Sequence, residues 1–168
     1  MRWTCVPFAA LTLDQLYDVL ALRSEVFVVE QHCVFLDIDG LDRKTWHLLG
    51  HGEDGMLKAY VRLIPPGLKG ADALIGRVVT APAARGGGTG RVLMAESLAQ
   101  CERLWPGHAI TLHAQAHLER FYGSFGFSPV GEQYMEDGIP HQEMQKQRPP
   151  SAQAPQPPAG VEAARGGN

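Results

Sequence analysis

Positive charge is not in excess in this sequence. Fifteen Lys and Arg residues stand against eighteen Asp and Glu, a formal net charge of −3 with a pI near 6.1. Nucleic acid and anionic membrane surfaces both call for concentrated positive potential, so neither is expected as a partner. Cysteine is scarce as well. Cys5, Cys33 and Cys101 are widely spaced and form no C-x-x-C pair, which argues against a disulfide framework or a zinc site. Reduced, mostly buried thiols in a cytoplasmic protein are the expectation. No stretch approaches the ~20 apolar residues that a membrane-spanning helix needs. The opening residues Met1 to Cys5 begin no apolar run of signal-peptide length.

Aromatic residues are missing from one segment. Arg148 to Asn168 reads RPPSAQAPQPPAGVEAARGGN, too poor in apolar surface to offset its ordering entropy, and is expected to be a disordered Pro/Ala/Gly-rich tail. Residues 1 to 147 then form one domain, long enough to bury a real core.

What is present inside that domain is an alternation of strand and helix signals. Arg2 to Phe8 reads as a strand. Thr12 is a good N-cap for a helix carrying Leu13, Leu16, Leu20 and Phe27, expected to run toward Val28. Trp46 to Gly50 and Leu57 to Ile64 read as strands around a Glu53-Asp54-Gly55 turn. Ala73 to Thr80 is a further strand. Met94, Leu98, Cys101 and Trp105 mark a second helix from about Thr89, and Pro106-Gly107 stops it. Ala109 to Ala114 is extended, Leu118 to Ser124 helical, and Phe127 onward extended, with a turn at Asp137-Gly138. The order is βαβββαβαβ, a mixed α/β (α+β) layer fold.

Between the fourth strand and the second long helix lies Arg85-Gly86-Gly87-Gly88-Thr89-Gly90, followed by Arg91. Strand, glycines, then helix is an arrangement that binds phosphate. Unpaired N–H groups and the helix dipole favour an anion, and glycines admit it closely. Arg85 and Arg91 flank the turn as candidate phosphate partners. A P-loop requires Gly-Lys-Ser/Thr, whereas Gly90 precedes Arg91-Val92. A dinucleotide fingerprint begun at Gly88 requires a small residue where Leu93 stands. The pattern that fits is R-x-x-G-x-G. It resembles the pyrophosphate-binding signature of the GNAT superfamily of acyl-CoA-dependent N-acetyltransferases.

A second motif strengthens the resemblance. Gln115 to Phe127 is similar to the superfamily's N-x-x-A-x-x-Φ-Y-x-x-x-G-F signature through Tyr122, Gly126 and Phe127. Gln115 stands where Asn is frequent and Leu118 where Ala is frequent. The ElaA-type branch is resembled through Leu22 to Gln31, Asp37 to Asp42, Gly76-Arg77-Val78 and Glu136 to His141.

The resemblance implies a GNAT fold, a mixed central sheet with a splayed strand pair flanked by helices, and acetyl-CoA as co-substrate. It places Val78, Val79 and Thr80 along the pantetheine arm, the amides of Gly86, Gly87, Gly88, Thr89 and Gly90 with Arg85 at the pyrophosphate, and Tyr122 as proton donor to the leaving thiolate. An N–H near Val79 would polarise the thioester carbonyl. Alkylamines are mostly protonated at neutral pH, so a base must first take a proton. Glu30, following an apolar helix end, is the first candidate because partial desolvation would raise its pKa; His113 is the second. Asp37, Asp39 and Asp42 lie in the same region.

No metal is expected. Asp37-Ile38-Asp39-Gly40 lacks the remaining ligand spacing of a calcium loop, and the strand should end between His113 and His117. The acceptor is a small-molecule amine or a peptide. Arg23 and Arg77 are candidates to fix a carboxylate on it, or else to pair with the acidic cluster. A homodimer is the assembly common in the superfamily. Two other readings stay open. Leu22 to Gln31 with the following aspartates also resembles acyl-homoserine-lactone synthases, and a non-catalytic acyl-CoA sensor would keep the binding turn alone.

Overall fold

The computed structural model describes residues 1–148. The tail expected from Arg148 to Asn168 lies, Arg148 apart, outside the described residues.

Strand β1 (Arg2–Pro7) leads through a 3-10 turn to helix α1 (Leu13–Arg23). The cap expected at Thr12 is present in reciprocal form: its Oγ1 accepts from the Gln15 N–H, and the Gln15 side chain accepts from the Thr12 N–H. The helix does not continue regularly to Val28. At Ser24 it widens into a π-helical segment, Ser24–Glu30. The run Val26-Phe27-Val28-Val29 is stiff and crowded at χ1 in a regular helix, and a wider turn relieves the crowding.

Strands β2 (Trp46–His51) and β3 (Leu57–Ile64) form the expected hairpin, with Gly55 at φ +77° in the turn. Then follow β4 (Ala73–Thr80), helix α2 (Thr89–Leu104), β5 (Ile110–Gln115), the short helix α3 (Glu119–Gly123), β6 (Ser128–Glu136) and β7 (Ile139–Lys146). The sequence pattern counts one strand after α3, with a turn expected at Asp137-Gly138. The structure has two, joined at Asp137-Gly138, both with positive φ as a type I′ turn requires.

The seven strands form one sheet in the order β1-β2-β3-β4-β5-β7-β6. Neighbours are antiparallel except β4 and β5, which are parallel. Alternating strand residues send Leu48, Val61, Leu63 and Ile75 to one face, where they meet Leu93 and Met94 of α2. Leu49, Tyr60 and Val79 point to the other face and meet Val19, Leu22 and Val26 of the first helix and its π-helical extension.

Two irregularities decide where a ligand could enter. Strands β4 and β5 pair only at Ala73↔Ile110, Leu74↔Thr111 and Ile75↔Leu112. Past Ile75 they separate and leave one edge of β4 without a strand partner. In β4, Gly76 pairs with Arg62 and Val79 with Tyr60, so Val61 alone faces both Arg77 and Val78. This is a β-bulge, and Arg77 sits in it at φ +54°.

Candidate functional site

The glycine-rich turn caps the unpaired end of β4. Gly86 and Gly88 have φ of +86° and +83°, and Gly88 is the N-cap of α2. A Cβ placed at Gly86, Gly87 or Gly88 would meet nothing within 4 Å, so the turn stands open to solvent. Arg91 N and Val92 N donate to Gly88 O, so the helix's own bonding begins after the turn. The N–H groups at its start precede that bonding. Arg85 Nη1 donates to Glu30 Oε1 at 2.8 Å. Arg91 lies over the Phe125 ring, 4.9 Å from its centroid, and donates to Ser124 Oγ at 3.3 Å.

Between the splayed strands opens a cleft of about 650 Å³. Val78 and Tyr122 line it, together with Phe27, Gln31, Cys33 and Phe35 of the π-helical segment and the loop after it. His113, Tyr134, Glu136 and His141 close its other side. A smaller recess of about 340 Å³ continues past His113 to Lys69, Asp72 and Glu143.

Tyr122 is 6% exposed and packs edge-to-face against Phe121 and Phe127. Burial pushes its phenol up to about 12. The Gly-Phe pair after it has a structural reason: Gly126 turns α3 into β6 at φ +91°, and Phe127 enters the core. On β5, His113 is exposed and its Nδ1 lies 2.8 Å from Tyr134 Oη. Tyr134 stacks on His141. The Nδ1 of His141 donates to Ile139 O at 2.8 Å, which leaves Nε2 3.6 Å from Glu136. Burial, and then the charges of Glu136 and Glu143, hold the Tyr134 phenol above its usual range.

Under the cleft lies an ionic network. Arg23, fully buried, donates to Asp37 at 2.9 Å and Asp42 at 2.8 Å. Arg62 reaches Asp39 at 2.7 Å and Asp42 at 3.0 Å, and Arg77 reaches Asp37 at 2.7 Å. Burial of charge is tolerated because each group is paired. Despite its desolvation, Asp39 is held well below the usual carboxylate range, mainly by Arg62; Asp42 is lowered by Arg23 and Arg62. His47 Nε2 donates to Asp42 O at 2.9 Å, and its Nδ1 lies 2.7 Å from Tyr60 Oη. Burial is the main reason its pKa is depressed.

Several sequence expectations change here. Arg23 and Arg77 spend their guanidinium groups on the acidic cluster, so the ion-pair alternative holds and the carboxylate-fixing one does not. The same pairs leave Asp39 and Asp42 poor proton acceptors. Glu30 is not desolvated: its side chain is 41% exposed and ion-paired to Arg85, outside the residues that line the cleft. His113 does line it. Arg62, Tyr134 and His141 were not legible as site residues. Glu136 to His141 stood out only as part of a resemblance, and Arg62 carried no signal beyond a charge within an apolar strand. Among the described residues no group of three or more His, Cys, Asp or Glu side chains is placed to hold a metal ion, and no helix is long and apolar enough to cross a membrane.

Comparison with known proteins bears on the same elements. The acetyltransferase (GNAT) domain family matches residues 41–148. A UPF0039 protein of Synechocystis is 42% identical over 151 residues, 90% of this chain and 98% of its own length. An acyl-CoA N-acyltransferase from Pseudomonas aeruginosa superposes with a TM-score of 0.83 at 48% identity, over 87% of this chain and 99% of that one. ElaA of Escherichia coli superposes with a TM-score of 0.82 at 43% identity, with coverage of 87% and 99%.

Proposed function

The chain belongs to the GNAT acetyltransferase family, and from that premise we propose that it is an acetyl-CoA-dependent N-acetyltransferase acting on a primary amine. The observation that carries the reading is the separation of β4 from β5 past Ile75, with the open glycine-rich turn at one end of the gap and Tyr122 in it. The backbone of Val78, Val79 and Thr80 is free on the β5 side to hydrogen-bond an extended pantetheine arm. The amides of Gly86 to Gly90, with Arg85 and Arg91, suit a pyrophosphate. The open space at the turn glycines fits a group lying close against the backbone.

Chemistry then proceeds by direct attack. His113, with Nδ1–H donated to Tyr134 Oη, keeps Nε2 for the proton of the acceptor ammonium. The freed amine nitrogen bonds to the thioester carbon while the carbonyl oxygen gathers charge beside the β4 amides. As the C–S bond breaks, sulfur gathers negative charge, and Tyr122 donates a hydrogen bond to it. Thiols ionise near ~8.5, whereas this phenol ionises at about 12. Full transfer from Tyr122 is therefore uphill, and the proton that completes the thiol comes from the attacking nitrogen.

The acceptor follows from charge. The guanidinium groups of Arg62 and Arg77 that border the cleft are committed to Asp37, Asp39 and Asp42. Glu136, Asp137 and Glu143 border the cleft and the recess beyond it, against one lysine, Lys69. This balance favours a cationic amine without a neighbouring carboxylate, such as a diamine or a peptide amine, over a free α-amino acid. Incubation with acetyl-CoA and either diamines, lysine-bearing peptides or free amino acids, with products identified by mass spectrometry, tests the reading. Acetylated diamine or peptide is expected. Turnover confined to free amino acids would reject the acceptor assignment, and no product from any amine would reject the activity.

A further inference from the structure

Arg77 has a backbone conformation suited to glycine and the side chain of an arginine. A residue with a Cβ rarely occupies φ +54°, because the side chain crowds the neighbouring carbonyl. The position is the first of the two β4 residues set against Val61, where a bulge of this hand most readily takes glycine. Backbone strain of this kind persists only where the surroundings over-determine it, and it gathers at functional sites.

The surroundings here are specific. Arg77 Nε donates to Asp37 Oδ1 at 2.7 Å, and Nη2 donates to the Asp37 carbonyl at 3.1 Å. Its guanidinium also lies over the Phe35 ring, 5.5 Å from the centroid. Asp37 is itself held: its other carboxylate oxygen accepts from Arg23 Nε at 2.9 Å and its carbonyl from Arg23 Nη2 at 3.0 Å. A buried arginine of α1 thus fixes Asp37, and Asp37 fixes Arg77. The grip falls two residues past the last β4–β5 pair, Ile75↔Leu112, at the vertex of the splay.

We propose that Arg77 is a positioning residue for acyl transfer: clamped by Asp37, it holds β4 in the bulged path that presents the backbone of Val78 to Thr80 to the donor. The proposal rests on the acyl-transfer reading above. The bulge decides the facing of everything after it. Straightening the bulge with Arg77 still in the strand would slip the pairing by one, set Val78 against Tyr60 and turn each following residue to the opposite face. Val79, 4% exposed against α1, would leave its core, and the N–H groups beside it would turn with it. Arg77 touches no reacting atom in this account and acts only through the strand.

The test compares Arg77→Ala, which removes the clamp but keeps a Cβ at positive φ, with Arg77→Gly, which removes the clamp and the strain together. Asp37→Asn, which weakens the clamp from its other side, is expected to follow Arg77→Ala. Displacement of the reacting groups predicts that Arg77→Ala lowers kcat roughly 10- to 100-fold while CoA affinity, by calorimetry, stays within about threefold. Arg77→Gly should recover at least about a third of wild-type kcat and melt about 2–4 °C above Arg77→Ala. The proposal is overturned if Arg77→Ala turns over like wild type, if its defect lies in CoA affinity instead, or if Arg77→Gly is neither more active nor more stable than Arg77→Ala. Should wild-type protein acetylate no amine, the acyl-transfer reading fails. The melting order of the two variants then still decides whether the clamp holds a strained backbone.

Discussion

Glu30, the last residue of the π-helical segment, accepts a hydrogen bond at 2.8 Å from Arg85, the residue that opens the glycine-rich turn. The pair spans the donor turn and the segment whose Phe27 lines the cleft. A pyrophosphate that recruits Arg85 must compete with Glu30 for it. Exposed pairs of this kind are worth about 0.2–1 kcal/mol, so Glu30→Gln should tighten CoA binding by roughly two- to fivefold. Calorimetric titration checks this. A large fall in kcat with unchanged CoA affinity would instead restore Glu30 as the base.

Tyr122 is expected to act on the chemical step alone. A hydrogen bond to a charged sulfur is worth about 1.5–3 kcal/mol, so Tyr122→Phe should lower kcat roughly 10- to 100-fold. KM for acetyl-CoA should change little. Because the phenol ionises at about 12, the pH profile of kcat should show no alkaline fall traceable to Tyr122 below that region.

His113→Gln should lower kcat/KM for the amine by roughly 100-fold or more, the usual weight of a positioned base. Tyr134→Phe, which removes the partner of Nδ1, should give a smaller loss in the same parameter. Steady-state kinetics with the amine varied at saturating acetyl-CoA separates the two.

Stability should fall with pH in two stages. Folded His47 resists protonation, being depressed below its ordinary 6.5 chiefly by burial, and His51 is depressed in the same direction. Below pH 6.5 the unfolded chain therefore binds more protons than the folded one, and stability declines. Asp39 and Asp42 are lowered from 3.8, so the stability they contribute is present above that value and is lost as pH falls further through their folded pKa values. Urea midpoints measured from pH 8 to pH 2 should show the first stage and the onset of the second, and replacing His47 should blunt the first.

Arg23→Ala should destabilise by about 3–5 kcal/mol, because it leaves Asp37 and Asp42 buried with one partner fewer. Denaturant unfolding measures this directly. A loss below about 1 kcal/mol would mean that the network behaves like a surface cluster.

Much of this molecule is written in local pattern. The Thr12 cap, the Gly55 turn and the glycines at 86 and 88 each need one residue type at one place, and the sequence shows them there. The splay, the bulge at Arg77 and the role of Asp37 depend on pairing across the sheet and on groups 40 residues apart, which no local window records. The apolar neighbours of Glu30 predict a desolvated side chain. The π-helical segment instead sets its side chain outward, toward Arg85. Arg62 is a charge set between Val61 and Leu63 in a mostly apolar strand, and only the folded network shows why it is there.

Acyl transfer from acetyl-CoA to an amine in the splayed cleft is the central claim. Its most direct test is steady-state thiol release from acetyl-CoA with a diamine present, for the wild type and Tyr122→Phe. Amine-dependent release is expected, dropping sharply in the variant while CoA binding by both stays equal. Tight CoA binding with no amine-dependent release by the wild type would contradict it.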